Sequence, residues 1–363
     1  MTLNLYINPE GFPALISDLI VTPIKDGMTP EAGTVLTPSN VWPEEIVSDK
    51  PYADFVDKLL ILDEQSTATF AATDAAKVID FLPNLAIRMK HRPDDVRPMR
   101  FAGDLADQYL EENDCPDAFR MMGVRPAIVE QQKAVNLIAP KGSKILKTGR
   151  FNDCYAQGTG ANAALRLLKR FDAHLSTGSW PEDSFAHLID FLGILNAEKL
   201  FNEEAESLAD TWGGYLQCSF YDLEKSTVQY IPSWAHISLG FDANEQRIGI
   251  HRKHVFYSRD VSQYWLGVMF LNERRPKCLT WPIRNLFDTE VDNSPPNWET
   301  YSPKFTTVSI FVQKNGHVLD PLHKTLTPDE HKDLSFRFGK DRLEMRFSQD
   351  LKTSLIDLVQ KAI

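Results

Sequence analysis

Four stretches with helix-like apolar spacing fall into two pairs, and strand-like segments enclose each pair. ATDAAKVIDFLPNLAIRMKH is followed by RFAGDLADQYLEEN; GTGANAALRLLKRFDAHL is followed by SFAHLIDFLGILNAEKLFNEEAESLADTW. Val78, Phe81, Leu82, Leu85 and Ile87 mark the apolar side of the first, with Pro83 expected to kink or split it. Leu105 and Leu110 mark the second, and Leu188, Phe191, Leu192 and Leu195 the fourth, which should stop at Gly213-Gly214. Ahead of the first pair stand TLNLYI and FPALISDLIVT, separated by NPEG, then DKLLILD and TATFAAT. FRMMGV, KAVNLIA, SKILKTG and DCYAQ lie between the pairs; YLQCSFY and STVQYI follow the second. Alternating strands and helices would predict a doubly wound sheet. Helices grouped in pairs between hairpins predict an α+β chain built in layers.

Beyond about residue 236 the texture changes. HISLGF, RIGIHRKHVFYS, QYWLGVMFL, TTVSIFVQK, LSFRFG and LEMRFS read as strands, and SQDLKTSLIDLVQKAI as a closing amphipathic helix. The chain is therefore divided into residues 1–235 and a mainly β extension, 236–363. Residues 23–50, rich in Pro, Thr, Ser and Asp, read as a long loop. A net charge of −11 argues against nucleic acid as a partner, because phosphate binding needs clustered Lys and Arg. The cysteines, Cys115, Cys154, Cys218 and Cys278, are scattered without a C-x-x-C pair and read as reduced thiols. With no secretory signal pattern and no long apolar run, a cytoplasmic protein without membrane contact is expected.

The first hairpin brings chemistry into view. If its turn is centred on Glu10, Thr2 faces Asp18, and opposed cross-strand residues have Cβ atoms about 4.5–5.5 Å apart. A register slip of one residue would move Asp18 to the other face. In the second hairpin, a turn centred between Glu64 and Gln65 sets Lys58 opposite Ala71. Lys58 is a charge inside an apolar strand and needs a partner, for which Asp18 is the candidate. If Met1 is removed, Thr2 carries both a hydroxyl and a free α-amine, the pairing that N-terminal-threonine hydrolases use. An adjacent Lys⁺ favours the neutral amine as general base, and Asp18 would balance the lysine.

MTLNLYINPEGFPALISDLIVT resembles the start of a proteasome β-type subunit or of the bacterial HslV peptidase. That family opens on a catalytic Thr, carries an Asp about sixteen residues later, and then a Lys in a strand like FVDKLLILDEQSTATFAAT. Gly158-Thr159-Gly160 is similar to its helix-opening turn, and Asp210-Thr211-Trp212-Gly213-Gly214 to the segment after its fourth helix. The resemblance spans residues 2–232. It implies a four-layer αββα N-terminal-nucleophile (Ntn) hydrolase sandwich acting on peptide or amide bonds without a cofactor or metal. By carry-over the site comprises Thr2, Asp18, Lys58, Ala72, Thr159 and Asp210, with the Ala72 N–H binding the oxyanion. It also implies a homo-oligomer or ring, a peptide or protein substrate and an ATP-dependent unfoldase partner. Ala72 stands where the family has glycine, and Gly213 where it has serine, so an inactive scaffold of the same fold is the alternative.

GTGANA also fits the loose dinucleotide fingerprint, through Gly158 and Gly160. That fingerprint belongs in a first βαβ unit, whereas two helices follow here, so a tight turn is the expectation. His251 and His254 in HRKH would share a face only in a helix; the strand-like flanks predict a solvated basic strand without metal. ERRPK, at 273–277, reads as a solvated turn.

Overall fold

The computed structural model describes residues 3–21, 37–38, 54–177, 184–200, 212, 215–250, 253–259, 264–270, 277–286, 298, 301–315, 317–319, 321–339 and 342–362. The chain opens with β1 (Asn4–Ile7), β2 (Ala14–Asp18), β3 (Ile20–Val21) and β4 (Asp54–Val56). The hairpin of β5 (Leu59–Asp63) and β6 (Ser66–Ala72) leads into α1 (Ala75–Met89) and α2 (Pro98–Glu112). Next come β7 (Phe119–Val129), β8 (Gln132–Ile138), β9 (Lys144–Lys147) and β10 (Asp153–Gln157), then α3 (Ala161–Thr177) and α4 (Ser184–Leu200). β11 (Leu216–Asp222) and β12 (Thr227–Tyr230) precede β13 (Trp234–Asp242), β14 (Arg247–Ile250), β15 (Lys253–Arg259), β16 (Tyr264–Phe270) and β17 (Lys277–Arg284). The chain closes with β18 (Phe305–Lys314), β19 (His317–Val318), β20 (Leu322–Thr325), α5 (Pro328–Lys332), β21 (Leu334–Gly339), β22 (Arg342–Phe347) and α6 (Gln349–Ala362).

The fold is mixed α/β with several sheets. A six-stranded sheet runs β12-β11-β2-β1-β10-β9 and a four-stranded sheet β5-β6-β7-β8. Strand alternation sends every second side chain to the opposite face. Tyr6, Leu15, Leu59, Met122 and Val124 therefore form an apolar cluster where the two sheets meet. Leu5 and Ile7 point the other way, into the core shared with α3 and α4. α1 and α2 cover the four-stranded sheet through Phe81, Tyr109, Phe70 and Phe119; Phe81 stacks on Phe119 with ring centroids 5.0 Å apart. Asp74 caps α1 by accepting the Ala76 N–H at 3.0 Å. Pro83 lies within α1, and the helix continues across it, so the chain is not split there. Ile87, also assigned to its apolar side, is 61% exposed, two residues past Leu85 and off the buried stripe.

The third large sheet follows the order β19-β18-β13-β15-β16-β17-β4-β3, with β14 on β13 and β20 on β18. β3 and β4 come from the N-terminal part of the chain, and β4 runs parallel to β17 through Phe55 and Ile283. β17 adds to the strands expected from sequence. α4 is wedged between this sheet and β11, so it buries residues around its whole circumference, including His187, Asn196 and Lys199. Gly193 permits the closest approach: a Cβ there would lie 2.6 Å from Thr307 Cγ2.

RIGIHRKHVFYS divides into β14 and β15, and its expected solvation is corrected: Lys253 and His254 are fully buried. Strand β15 lies inside the third sheet, between β13 and β16. Lys253 Nζ donates to the Pro38 carbonyl at 2.7 Å, and His254 Nδ1 accepts the Ser238 N–H at 3.2 Å. His251 lies outside the described residues, as do most of the 23–50 loop and most of ERRPK. Cys115, Cys154 and Cys218 are free thiols. No described helix is long and apolar enough to cross a membrane.

Candidate active site

The first hairpin places Asp18 one register step from its expected position. Asn4 pairs with Ser17 and Ile7 with Ala14, so the hairpin centre falls between Glu10 and Gly11. The cause is the turn: Phe12 N–H closes onto the Pro9 carbonyl at 3.1 Å and Gly11 adopts φ +80°, a conformation glycine takes without strain. Leu3, rather than Thr2, is therefore opposite Asp18, and the Asp18 N–H donates to the Leu3 carbonyl at 3.0 Å. The Asp18 carboxylate is fully buried. Its Oδ1 accepts from Lys58 Nζ at 2.7 Å and from the Leu3 N–H at 3.1 Å. Its Oδ2 is buried with no partner among the described residues.

Lys58 sits where it does because the chain changes sheets there. β4 belongs to the third sheet and β5 to the four-stranded one, and Asp57-Lys58 is the junction. Backbone bonds fix the crossing: Val56 N–H to the Leu19 carbonyl and Asp57 N–H to the Arg284 carbonyl, each at 2.9 Å. Beyond it, Leu59 pairs with Thr69 and a β-bulge follows between Ile61 and Asp63. That register sets Lys58 level with Phe70 instead of Ala71. Lys58 is 3% exposed, so its charge is neutralised by Asp18 in a site nearly closed to water.

Asp57 turns the opposite way and meets Arg259 Nη2 at 3.4 Å, while its Oδ1 accepts the Leu59 N–H at 3.1 Å. Burial pushes the Asp57 carboxyl above its ordinary pKa, against the opposing pull of Arg259. The Arg259 guanidinium lies 3.2 Å from the centre of the Tyr230 ring and donates to Tyr257 Oη at 3.3 Å. Burial raises the Tyr257 phenol to about 12, and its oxygen also accepts from Gln217 Nε2 at 2.9 Å.

Two further predicted residues lie at the same end of β1. Asn4 is buried between the sheets, with its amide 2.8 Å from Ser17 Oγ and 3.1 Å from Thr69 Oγ1. In the orientation that satisfies every neighbour, its oxygen accepts the Ala71 N–H at 2.8 Å. This ties the end of β6, where half-buried Ala72 is the last strand residue, to the start of β1. On the other edge, Gln157 of β10 pairs with Asn4, and the exposed Thr159 follows two residues later in the turn to α3. Gly158 takes φ +90° there, and the Ala161 N–H closes the turn onto the Gly158 carbonyl at 3.2 Å. β10 is antiparallel to both its neighbours, so this glycine turn opens no βαβ unit. Thr2, Asp210 and Gly213 lie outside the described residues.

Asn4, Asp57 and Arg259 complete the surroundings without having been singled out from sequence. The adjacent charges Asp57-Lys58 within FVDKLLIL were the available signal. As built, the site offers a buried, neutralised lysine and an acidic acceptor hydrogen-bonded to the third residue of the chain. Such a pair can hold a cation or tune an amine nearby. No cluster of three metal-ligating side chains occurs among the described residues.

No family model matches this chain, and no curated protein matches it. Among solved structures it is similar to Anbu (ancestral beta-subunit) from Yersinia bercovieri, with a TM-score of 0.37 and 11% identity, over 63% of this chain and 86% of that one.

Proposed function

We propose that the chain is an N-terminal threonine hydrolase of the Ntn type, cleaving peptide or amide bonds. The observation that carries this reading is the buried Lys58–Asp18 pair, whose carboxylate also binds the Leu3 N–H. It sets an ammonium and a carboxylate beside the residue that follows Thr2. The two helix pairs enclosing two facing sheets support an αββα sandwich. In the proposed reaction, Thr2 Oγ attacks the carbonyl carbon while the Thr2 amine takes the hydroxyl proton. Lys58 keeps that amine neutral, and the Ala72 N–H stabilises the oxyanion. The C–N bond breaks as the amine returns the proton to the leaving nitrogen, and water then hydrolyses the ester to regenerate Thr2. Asp18 is a positioning residue for Lys58; Thr159 and Asp210 would support the terminal amine. A ring assembly and an ATP-driven unfoldase partner belong to the same proposal.

An inactive scaffold is the second reading, favoured by the methyl group of Ala72 at the oxyanion position. A threonine-directed epoxyketone separates the two. Covalent labelling of the wild type that disappears in Thr2→Ala supports the hydrolase, and equal labelling of both proteins sinks it.

A further inference from the structure

A second site lies at the far end of β5, five residues from Lys58 and so about 17 Å along the strand. It is a cavity of about 560 Å³ between the β5–β6 turn, the β7–β8 hairpin and the start of α2. Strand register explains its polar wall. Arg125 pairs with Asn136 of β8, while its neighbour Val124 pairs with Thr67 of β6. Ser66, Arg125 and Asn136 all line the cavity. Gly123, two residues before Arg125 and on the same face, explains why α2 comes so close. A Cβ there would lie 2.4 Å from Met99 Sδ, so the glycine lets the first turn of α2 settle onto β7.

The charge arrangement is unbalanced. Arg97, at the N-cap of α2, makes no side-chain capping bond, and the helix has no acidic residue in its first turn. Its N-terminus is therefore a positive dipole end with no acid in its first turn. Arg97 and Arg125 both line the cavity beside it. Arg125 Nε is buried with no hydrogen-bond partner among the described residues, which is costly for a charged group. Asp63 is the acid on this wall, and its Oδ1 already accepts from Ser66 Oγ and the Gln65 N–H. Apart from Gln65, the rest of the lining is apolar, including Met99, Ala127 and Ile128, the last 81% exposed.

We propose that this cavity binds a small organic anion, a phosphate or carboxylate on an apolar body. The charged head would sit between Arg97 and Arg125 and the body would cover Met99 and Ile128. Forked guanidinium donors suit such a head, and the volume suits a ligand of metabolite size. Calorimetric titration of the full chain with phenyl phosphate, inorganic phosphate and benzyl alcohol tests this. Phenyl phosphate should bind saturably and more tightly than either fragment. Its affinity should fall at least about tenfold in Arg97→Ala and in Arg125→Leu, since each removes a charge-assisted bond. Arg125→Leu should melt no lower than the wild type, because Arg125 Nε has no hydrogen-bond partner among the described residues. Absence of saturable phenyl phosphate binding, or undiminished binding by the exposed-site variant Arg97→Ala, would overturn the proposal. Neither readout involves Thr2, so its failure is distinct from failure of the hydrolase reading.

Discussion

Asp57 and Lys58 are adjacent in sequence but face opposite ways, one toward Arg259 and the other toward Asp18. Removing one member of a buried pair strands the other. Lys58→Met should therefore cost about 3–5 kcal/mol of stability in denaturant titration, whereas Asp18→Asn combined with Lys58→Met should recover part of that loss. His236 makes a different prediction. It is fully buried, stacks on Trp234 at 4.6 Å between ring centroids and sits 3.2 Å from Tyr215 Oη. Burial lowers its pKa to about 3, with His323 adding to the effect. A base depressed in the fold stabilises above its unfolded pKa of about 6.5, and that stability is lost as pH falls from there toward 3. Chemical denaturation across this window should show the decline, and His236→Phe should flatten it. The Lys58 requirement was legible because a lysine inside an apolar segment demands a partner. The register was not, since the Pro9–Phe12 turn shifts the hairpin centre by half a residue. Asn4 gave no signal because its role lies in the second sheet, at Thr69 and Ala71.

The elements carry their own lesson in α4. Its sequence shows an apolar side at Leu188, Phe191, Leu192 and Leu195, but the helix is buried all round because β18 and β20 cover its other face. That covering depends on chain segments more than a hundred residues away, as the bond from the Thr325 N–H to Asp190 Oδ1 illustrates. Local periodicity could not reveal it. Gly193→Ala should raise intrinsic helix propensity by about 1 kcal/mol, yet the new methyl would press on Thr307. Overpacking costs about 1–3 kcal/mol, so the substitution should lower the melting temperature, and Thr307→Ser, which removes the nearest methyl, should rescue it. Strands between the helix pairs were legible from composition and turn residues. β17 was missed because Pro282 interrupts its strand signature, although it pairs in register with Trp265.

Across the whole molecule, the grouping of helices in pairs was the feature that carried furthest. It predicted an α+β chain built in layers, and the fold is mixed α/β: α1 and α2 pack on β5, β6 and β7, whereas α3 packs on β1, β9 and β10. The joining of the N-terminal and C-terminal parts was not legible, because the β4–β17 pairing spans more than two hundred residues and leaves no local pattern. That joining also sets the sheet crossing at Asp57-Lys58, so the candidate site depends on the later strands as well as on the first hairpins. The most direct test of the hydrolase reading is intact-mass analysis of the purified chain before and after epoxyketone treatment. The account predicts a chain that begins at Thr2 and gains one adduct on that residue, with the adduct lost in Thr2→Ala and strongly reduced in Lys58→Met. A chain that retains Met1, or an adduct that persists in Thr2→Ala, would contradict it.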